Sequence, residues 1–233
     1  MAPIHDAVRA GDVEAVRREL AAGVSPDLRA STLNSSLQDL PNLTPVWTPL
    51  CIALVYRSSY QSGTALLETV SLLIEAGAYV DAVCIYPSPF RYTAIWFAAQ
   101  SGRRKLVAAL IAAGVSTSLH VEGGSSRRAL RPVERDLNNC GHNGNQLHIL
   151  WQLLRAGSPL PRSDRAKWMR PGSAAYNAAA IDYVNAVAAA GGYVAYEKAH
   201  RAKLAAIFAP KFTWVPAEVI PTIVEFWAHL GHA

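Results

Sequence analysis

Residues 70–82 read V-S-L-L-I-E-A-G-A-Y-V-D-A, and this stretch decides the fold. The apolar run before Glu75 makes a core helix, and Gly77 supplies the left-handed backbone that ends it. Upstream, Thr48-Pro49-Leu50-Cys51-Ile52-Ala53-Leu54 opens the same unit. Pro49 fits the first helical turn, where a missing N–H costs nothing, and Thr48 is suited to cap that turn. Residues 48–82 therefore predict two helices joined by a chain reversal.

The same plan recurs on either side. Residues 7–27 read A-V-R-A-G-D-V-E-A-V-R-R-E-L-A-A-G-V-S-P-D, and residues 98–118 read A-A-Q-S-G-R-R-K-L-V-A-A-L-I-A-A-G-V-S-T-S. In each, one glycine (Gly11, Gly102) precedes another (Gly23, Gly114) by twelve residues. Between them Val13, Val16 and Leu20, and likewise Leu106, Leu110 and Ile111, form an apolar stripe at helical spacing. A looser copy opens at Leu130-Arg131-Pro132 and closes at 147–157, L-H-I-L-W-Q-L-L-R-A-G. The closing glycines Gly23, Gly77, Gly114 and Gly157 lie 54, 37 and 43 residues apart.

These copies resemble the ankyrin repeat, with its T-P-L-H-x-A-A-x-x-G opening, its V-x-x-L-L second helix and its G-A-D-V-N close. The run Ala76 to Asp81, A-G-A-Y-V-D, is the most specific match. The resemblance implies an all-α helix-turn-helix solenoid with long finger loops and a C-terminal helical cap. The repeats span 1–33, 46–82, 91–118 and 129–160, a connector follows at 161–172, and a helical module occupies 173–233. Every spacing exceeds the family period of about 33 residues, so the fingers at 28–47, 83–92 and 116–129 are long. The usual histidine of the opening turn is Cys51 in one copy and Trp96 in another, which predicts a rearranged hydrogen-bond network between repeats. Small residues such as Ala53, Ala98 and Ala99 allow close approach of neighbouring inner helices.

Hydrophobic residues make up 51% of the chain's 233 and charged residues 17%, the balance of a globular chain. The most apolar stretches are broken by Glu75, Gly77 and Gly114, short of the ~20 residues a membrane span needs. The first residues lack the basic-then-apolar pattern of a secretory signal. Cys51, Cys84 and Cys140 are odd in number and widely spaced, so reduced thiols and no disulfide framework are expected. Together these features predict a cytoplasmic or nuclear protein. The net charge of +5 is too modest to indicate nucleic acid, and the basic groups 103–105, 127–131 and 198–203 read as solvated helix faces.

Beyond Gly157 the pattern changes. Ala174 to Ala190 predicts a helix ended by Gly191-Gly192. Val194 to Phe208 predicts another, with Tyr196, Leu204, Ile207 and Phe208 on one side and Lys198, His200, Arg201 and Lys203 on the other. A solenoid needs such a cap, because its last repeat otherwise exposes an apolar face. The run V-P-A-E-V-I-P-T-I-V-E-F at 215–226 resembles the opening of a truncated F-box, and the resemblance implies Pro216, Glu218, Val219 and Ile223 as contacts for a ubiquitin-ligase adaptor.

Cys140, His142 and His148 form the one Cys/His cluster, at a spacing that matches no established zinc pattern. A zinc-dependent enzyme is the reading they offer. Neither a phosphate-binding glycine loop nor a nucleophile elbow is present, and the carboxylates are scattered. We therefore expect no enzyme, no cofactor and no metal site. The expected function is that of a monomeric protein–protein interaction scaffold or adaptor. Its candidate partner-binding residues are Tyr79, Asp81, Tyr86, Phe90, Arg91 and Tyr92, since interface anchors are rich in Tyr and Arg. Tyr86 and Phe90 serve equally well as core if the finger folds back on its neighbour. The runner-up is a substrate receptor of a ubiquitin ligase.

Overall fold

The computed structural model describes residues 2–30, 47–56, 63–85, 91–118, 146–160 and 174–224. It divides the chain into two compact units, Met1–Arg170 and Pro171–Ala233. Both are mostly helical.

In the first unit α1 (Pro3–Ala10) pairs with α2 (Val13–Ala21), α3 (Pro49–Val55) with α4 (Gly63–Glu75), and α5 (Ala94–Gln100) with α6 (Arg104–Ala112). The pairs stack in sequence order. Helices α1, α3 and α5 pack successively in one row, and α2, α4, α6 and α7 (Gln146–Arg155) in the other. The α1–α3–α5 row is the dry one. Six of the seven residues of α3 are buried, and Ala53, Ala98 and Ala99 are wholly enclosed, so backbones meet over methyl groups. The second row is half-exposed and offers Val16, Leu66, Val70, Leu73, Leu106, Val107, Leu110, Leu150 and Leu153 to the core. Val107 extends the stripe read from Leu106 and Leu110, and Ile111 lies at its half-buried margin.

Helix ends follow from single residues. The Thr48 hydroxyl accepts from the Cys51 amide at 3.3 Å and caps α3, with Pro49 in the first turn as expected. Thr93 heads α5 without such a bond. Gly77 at φ 88° ends α4 in a Schellman turn, with Gly77 N–H donating to Ile74 and Ala78 N–H to Leu73. Gly114 does the same after α6 at φ 81°.

The segments between pairs are not purely irregular. Strands β1 (Val83–Ile85) and β2 (Arg91–Thr93) form an antiparallel hairpin base in the register Val83↔Thr93, Cys84↔Tyr92, Ile85↔Arg91. Residues 30 and 47 close the preceding segment through an antiparallel bridge, the Ala30 amide donating to the Trp47 carbonyl at 3.1 Å. This modifies the all-α expectation. An antiparallel pair is the shortest way to satisfy backbone groups in a segment that leaves a helix stack and returns beside its starting point.

Cysteine chemistry is a second correction. Cys51 and Cys84 are joined as a disulfide, where the sequence led us to expect reduced thiols. The third residue of α3 and the middle of β1 are 33 residues apart in the chain, yet their Cα atoms are 5.3 Å apart. That separation suits a disulfide. Wide linear spacing misled because α4 carries the chain away and back.

The second unit contains α8 (Ala174–Ala189) and α9 (Tyr193–Phe208), packed on each other across Gly191 and Gly192, both at positive φ. A 3-10 turn, Ala209–Lys211, follows, and a helical stretch starts at 220 and reaches 224, the last described residue. Val184, Val187, Ile220 and Val224 are buried, whereas α9 buries no residue fully. The two-sided division expected for α9 does not hold. His200 lies one turn from Tyr196 and stacks on it with ring centroids 5.7 Å apart, and Ile207 is exposed. Residues four apart share a helix face, which places this histidine with the tyrosine.

Candidate functional site

Two carboxylates organise the turns between helix pairs. Asp27 accepts from the Tyr79 amide through both oxygens, at 2.9 and 3.1 Å, and Asp81 accepts from the Ser116 amide at 2.8 Å. Each aspartate stands four residues after the glycine that closes its helix pair, and each amide two residues after the next such glycine. The rungs thus repeat in register. At the next step the position of the aspartate is taken by Ser118, whose hydroxyl lies 3.2 Å from that of Ser116, and the contact across the step is made instead by hydroxyls that donate to carbonyls. The Thr117 hydroxyl donates to the Ala156 carbonyl at 3.3 Å, and the Ser158 hydroxyl to the Thr117 carbonyl at 3.1 Å. The sequence signal for this ladder is G-x-x-x-D at 23–27 and 77–81.

Asp81 is accordingly half-buried and engaged with its neighbour's backbone. Tyr79 is different. Its amide is held by Asp27 while the residue is 62% exposed. Tyr92, in β2, is half-buried; its ring stacks on Trp96 at 4.0 Å and meets Phe97 edge-on at 5.3 Å. Trp96 meets Phe97 at 90°. Where the ankyrin histidine is expected, α5 thus presents an indole that supports the finger strand. Arg91 lies in β2 opposite Ile85, and Tyr86 and Phe90 lie outside the described residues. The structure brings Tyr79, Asp81 and Tyr92 to one connection between α4 and α5.

The residue at the third position of each inner helix is a tether of changing chemistry. His5 is buried, and its Nε2–H donates to the Leu28 carbonyl at 2.7 Å, holding the segment that leaves α2. Cys51 holds the segment that leaves α4 through the disulfide to Cys84. Trp96 turns instead to the strand that enters α5.

In the second unit Pro216, Glu218, Val219 and Ile223 are all exposed, Val219 at 40% and Ile223 at 39%, while Ile220 and Val224 are buried. The Ile223 amide donates to the Val219 carbonyl, so the two exposed aliphatics sit one turn apart on one face. Trp214 is 79% exposed and meets Phe212 edge-on. Glu197 and Arg201 pair at 2.7 Å along α9. The phenol of Tyr183 is pushed well above the ordinary tyrosine range, first by burial and then by the nearby Tyr193, Tyr196 and Glu197.

Of the Cys/His cluster, Cys140 and His142 lie outside the described residues. His148 is on α7 with its ring edge-on to Trp151 at 5.1 Å. Among the described residues no three His, Cys, Asp or Glu side chains converge as metal ligands, and no helix is long and apolar enough to cross a membrane. Compared with known protein families and with curated proteins, the chain matches none.

Proposed function

We propose that this chain is a protein–protein interaction scaffold, an ankyrin-type solenoid working in the cytoplasm or nucleus and binding its partner through the finger bases and the face that carries Tyr79. The observation that carries this reading is Tyr79 itself, an exposed aromatic on a backbone fixed by Asp27. A contact residue whose backbone is already ordered loses little entropy on binding, and tyrosine supplies a large contact area with few rotatable bonds. Tyr92, Arg91, Tyr86 and Phe90 extend the same connection. No cofactor or catalysis enters this mechanism.

The test is affinity purification with wild-type chain, with Tyr79→Ala, and with residues 85–92 replaced by Gly and Ser. We expect the same partner to be lost or weakened in both variants while circular dichroism is unchanged for Tyr79→Ala. An identical set of bound proteins in all three would refute the assignment.

The exposed pair Val219 and Ile223, following Pro216 and Glu218, favours a second reading as a ubiquitin-ligase substrate receptor. Pro216→Ala combined with Val219→Asp should then abolish capture of a ligase adaptor. Intact capture would end that reading.

A further inference from the structure

The tether positions of the first two inner helices differ in one chemical respect. His5 holds its segment by a hydrogen bond to Leu28, whereas Cys51 holds Cys84 by a bond that a thiol can open. We propose that Cys51 and Cys84 form a thiol–disulfide switch that fixes β1 on α3 when oxidised and releases the base of the β1–β2 hairpin when reduced. The inference concerns the face on which the proposed binding reading lies, and rests on that reading only for its effect on a partner.

Three observations support the switch. Both cysteines are fully enclosed and correctly spaced for a disulfide, so the closed state belongs to the packed fold. The element they fix is slight, since β1 and β2 have three residues each. Strands so short open locally far more easily than the helices around them, which gives a reductant access to sulfurs that are buried on average. Finally, Cys84 faces Tyr92 in the register, and Tyr92 stacks on Trp96, so the state of the disulfide reaches the aromatic cluster through one strand pair.

The chemistry balances with a low-molecular-weight disulfide such as oxidised glutathione as oxidant. One protein thiol, as its thiolate, attacks the reagent and expels a glutathione thiolate, which takes up the proton. The second protein thiolate attacks the mixed disulfide and expels the other glutathione. Two electrons pass from the cysteine pair to the reagent, and two glutathione thiols leave. Reduction is the reverse.

The test uses the full chain equilibrated in glutathione buffers of varied redox ratio. Alkylation and peptide mapping report the pairing, and amide hydrogen exchange reports the hairpin base. We expect a Cys51–Cys84 link whose occupancy changes across the series. Exchange at residues 83–85 and 91–93 should be roughly tenfold slower in the oxidised form, with α1 and α2 unchanged as a fold control. Cys84→Ser should exchange like the reduced wild type in every buffer, and Cys140→Ser should keep the wild-type transition. Equal exchange in both redox states, a link to Cys140 instead, or occupancy that no glutathione ratio alters would overturn the proposal. Hydrogen exchange needs no partner, so failure of the switch and failure of the binding reading are separate results.

Discussion

The Asp27 carboxylate holds the Tyr79 backbone amide 52 residues along the chain, with oxygens 2.9 and 3.1 Å from the nitrogen. Asp81 repeats the contact with Ser116 at 2.8 Å. Side-chain oxygens of one helix pair thereby satisfy turn amides of the next, which no helix of that next pair can do for itself. Stacking order and turn geometry become one property.

The two rungs should differ in strength. The Asp27 bonds are exposed, while the Asp81 bond is partly buried. We expect Asp27→Ala to cost about 1 kcal/mol and Asp81→Ala about 2 kcal/mol, because water replaces the exposed acceptor more readily. Urea denaturation of the two variants decides it, and a larger loss at Asp27 would contradict this account.

The two helix-opening threonines should respond oppositely. Thr48 caps α3, and Thr48→Ala should lose about 1 kcal/mol, with Thr48→Ser largely restoring it. Thr93 is buried, and its hydroxyl makes no hydrogen bond among the described residues. Thr93→Val should therefore be neutral or stabilising. Thermal melts of both variants suffice.

A glycine pair gives a contrast of sign. Gly77 sits at φ 88° with open space where a Cβ would lie, so Gly77→Ala should lose about 1 to 2 kcal/mol from backbone conformation alone. Gly63 opens α4 without a positive φ, and an added Cβ would meet only the flexible end of Arg103 at 3.4 Å. Gly63→Ala should stabilise by about 0.5 kcal/mol. Destabilisation by both would mean that the α4 boundaries are misplaced.

Alkaline pH should loosen the second unit. The Tyr183 phenol is raised in the folded chain, so the folded form retains its proton where the unfolded form has lost it. The sign follows directly: this contribution is complete below the ordinary tyrosine value and is lost as pH rises beyond it. Tyr183→Phe should flatten the alkaline limb of the stability profile, followed by tyrosinate absorbance and helix content together. An unchanged limb would remove Tyr183 from the explanation.

Much of the molecule was legible in residue order. Helix pairs, their caps at Thr48 and Pro49, and their glycine stops at Gly77 and Gly114 are local matters of backbone preference, and short windows of sequence contain them. So is the close row of Ala53, Ala98 and Ala99, because small side chains in a helical period leave few alternatives. The ladder was half-legible: both aspartates stood at the same offset from a glycine, but which amide each would meet depended on how far the next pair was displaced.

The remainder was decided only when the chain closed on itself. Cys51 and Cys84 look unrelated along the sequence, and α4 makes them neighbours. That Tyr92 in β2 would stack on Trp96, and that Asp81 would meet the Ser116 amide, depends in the same way on where distant segments come to lie. Sequence by itself determined each helix and each turn, since those depend on contacts within a few residues. The tertiary structure alone decided which polar groups, sulfurs and rings pair with one another and which stay exposed, because that depends on where distant segments come to lie.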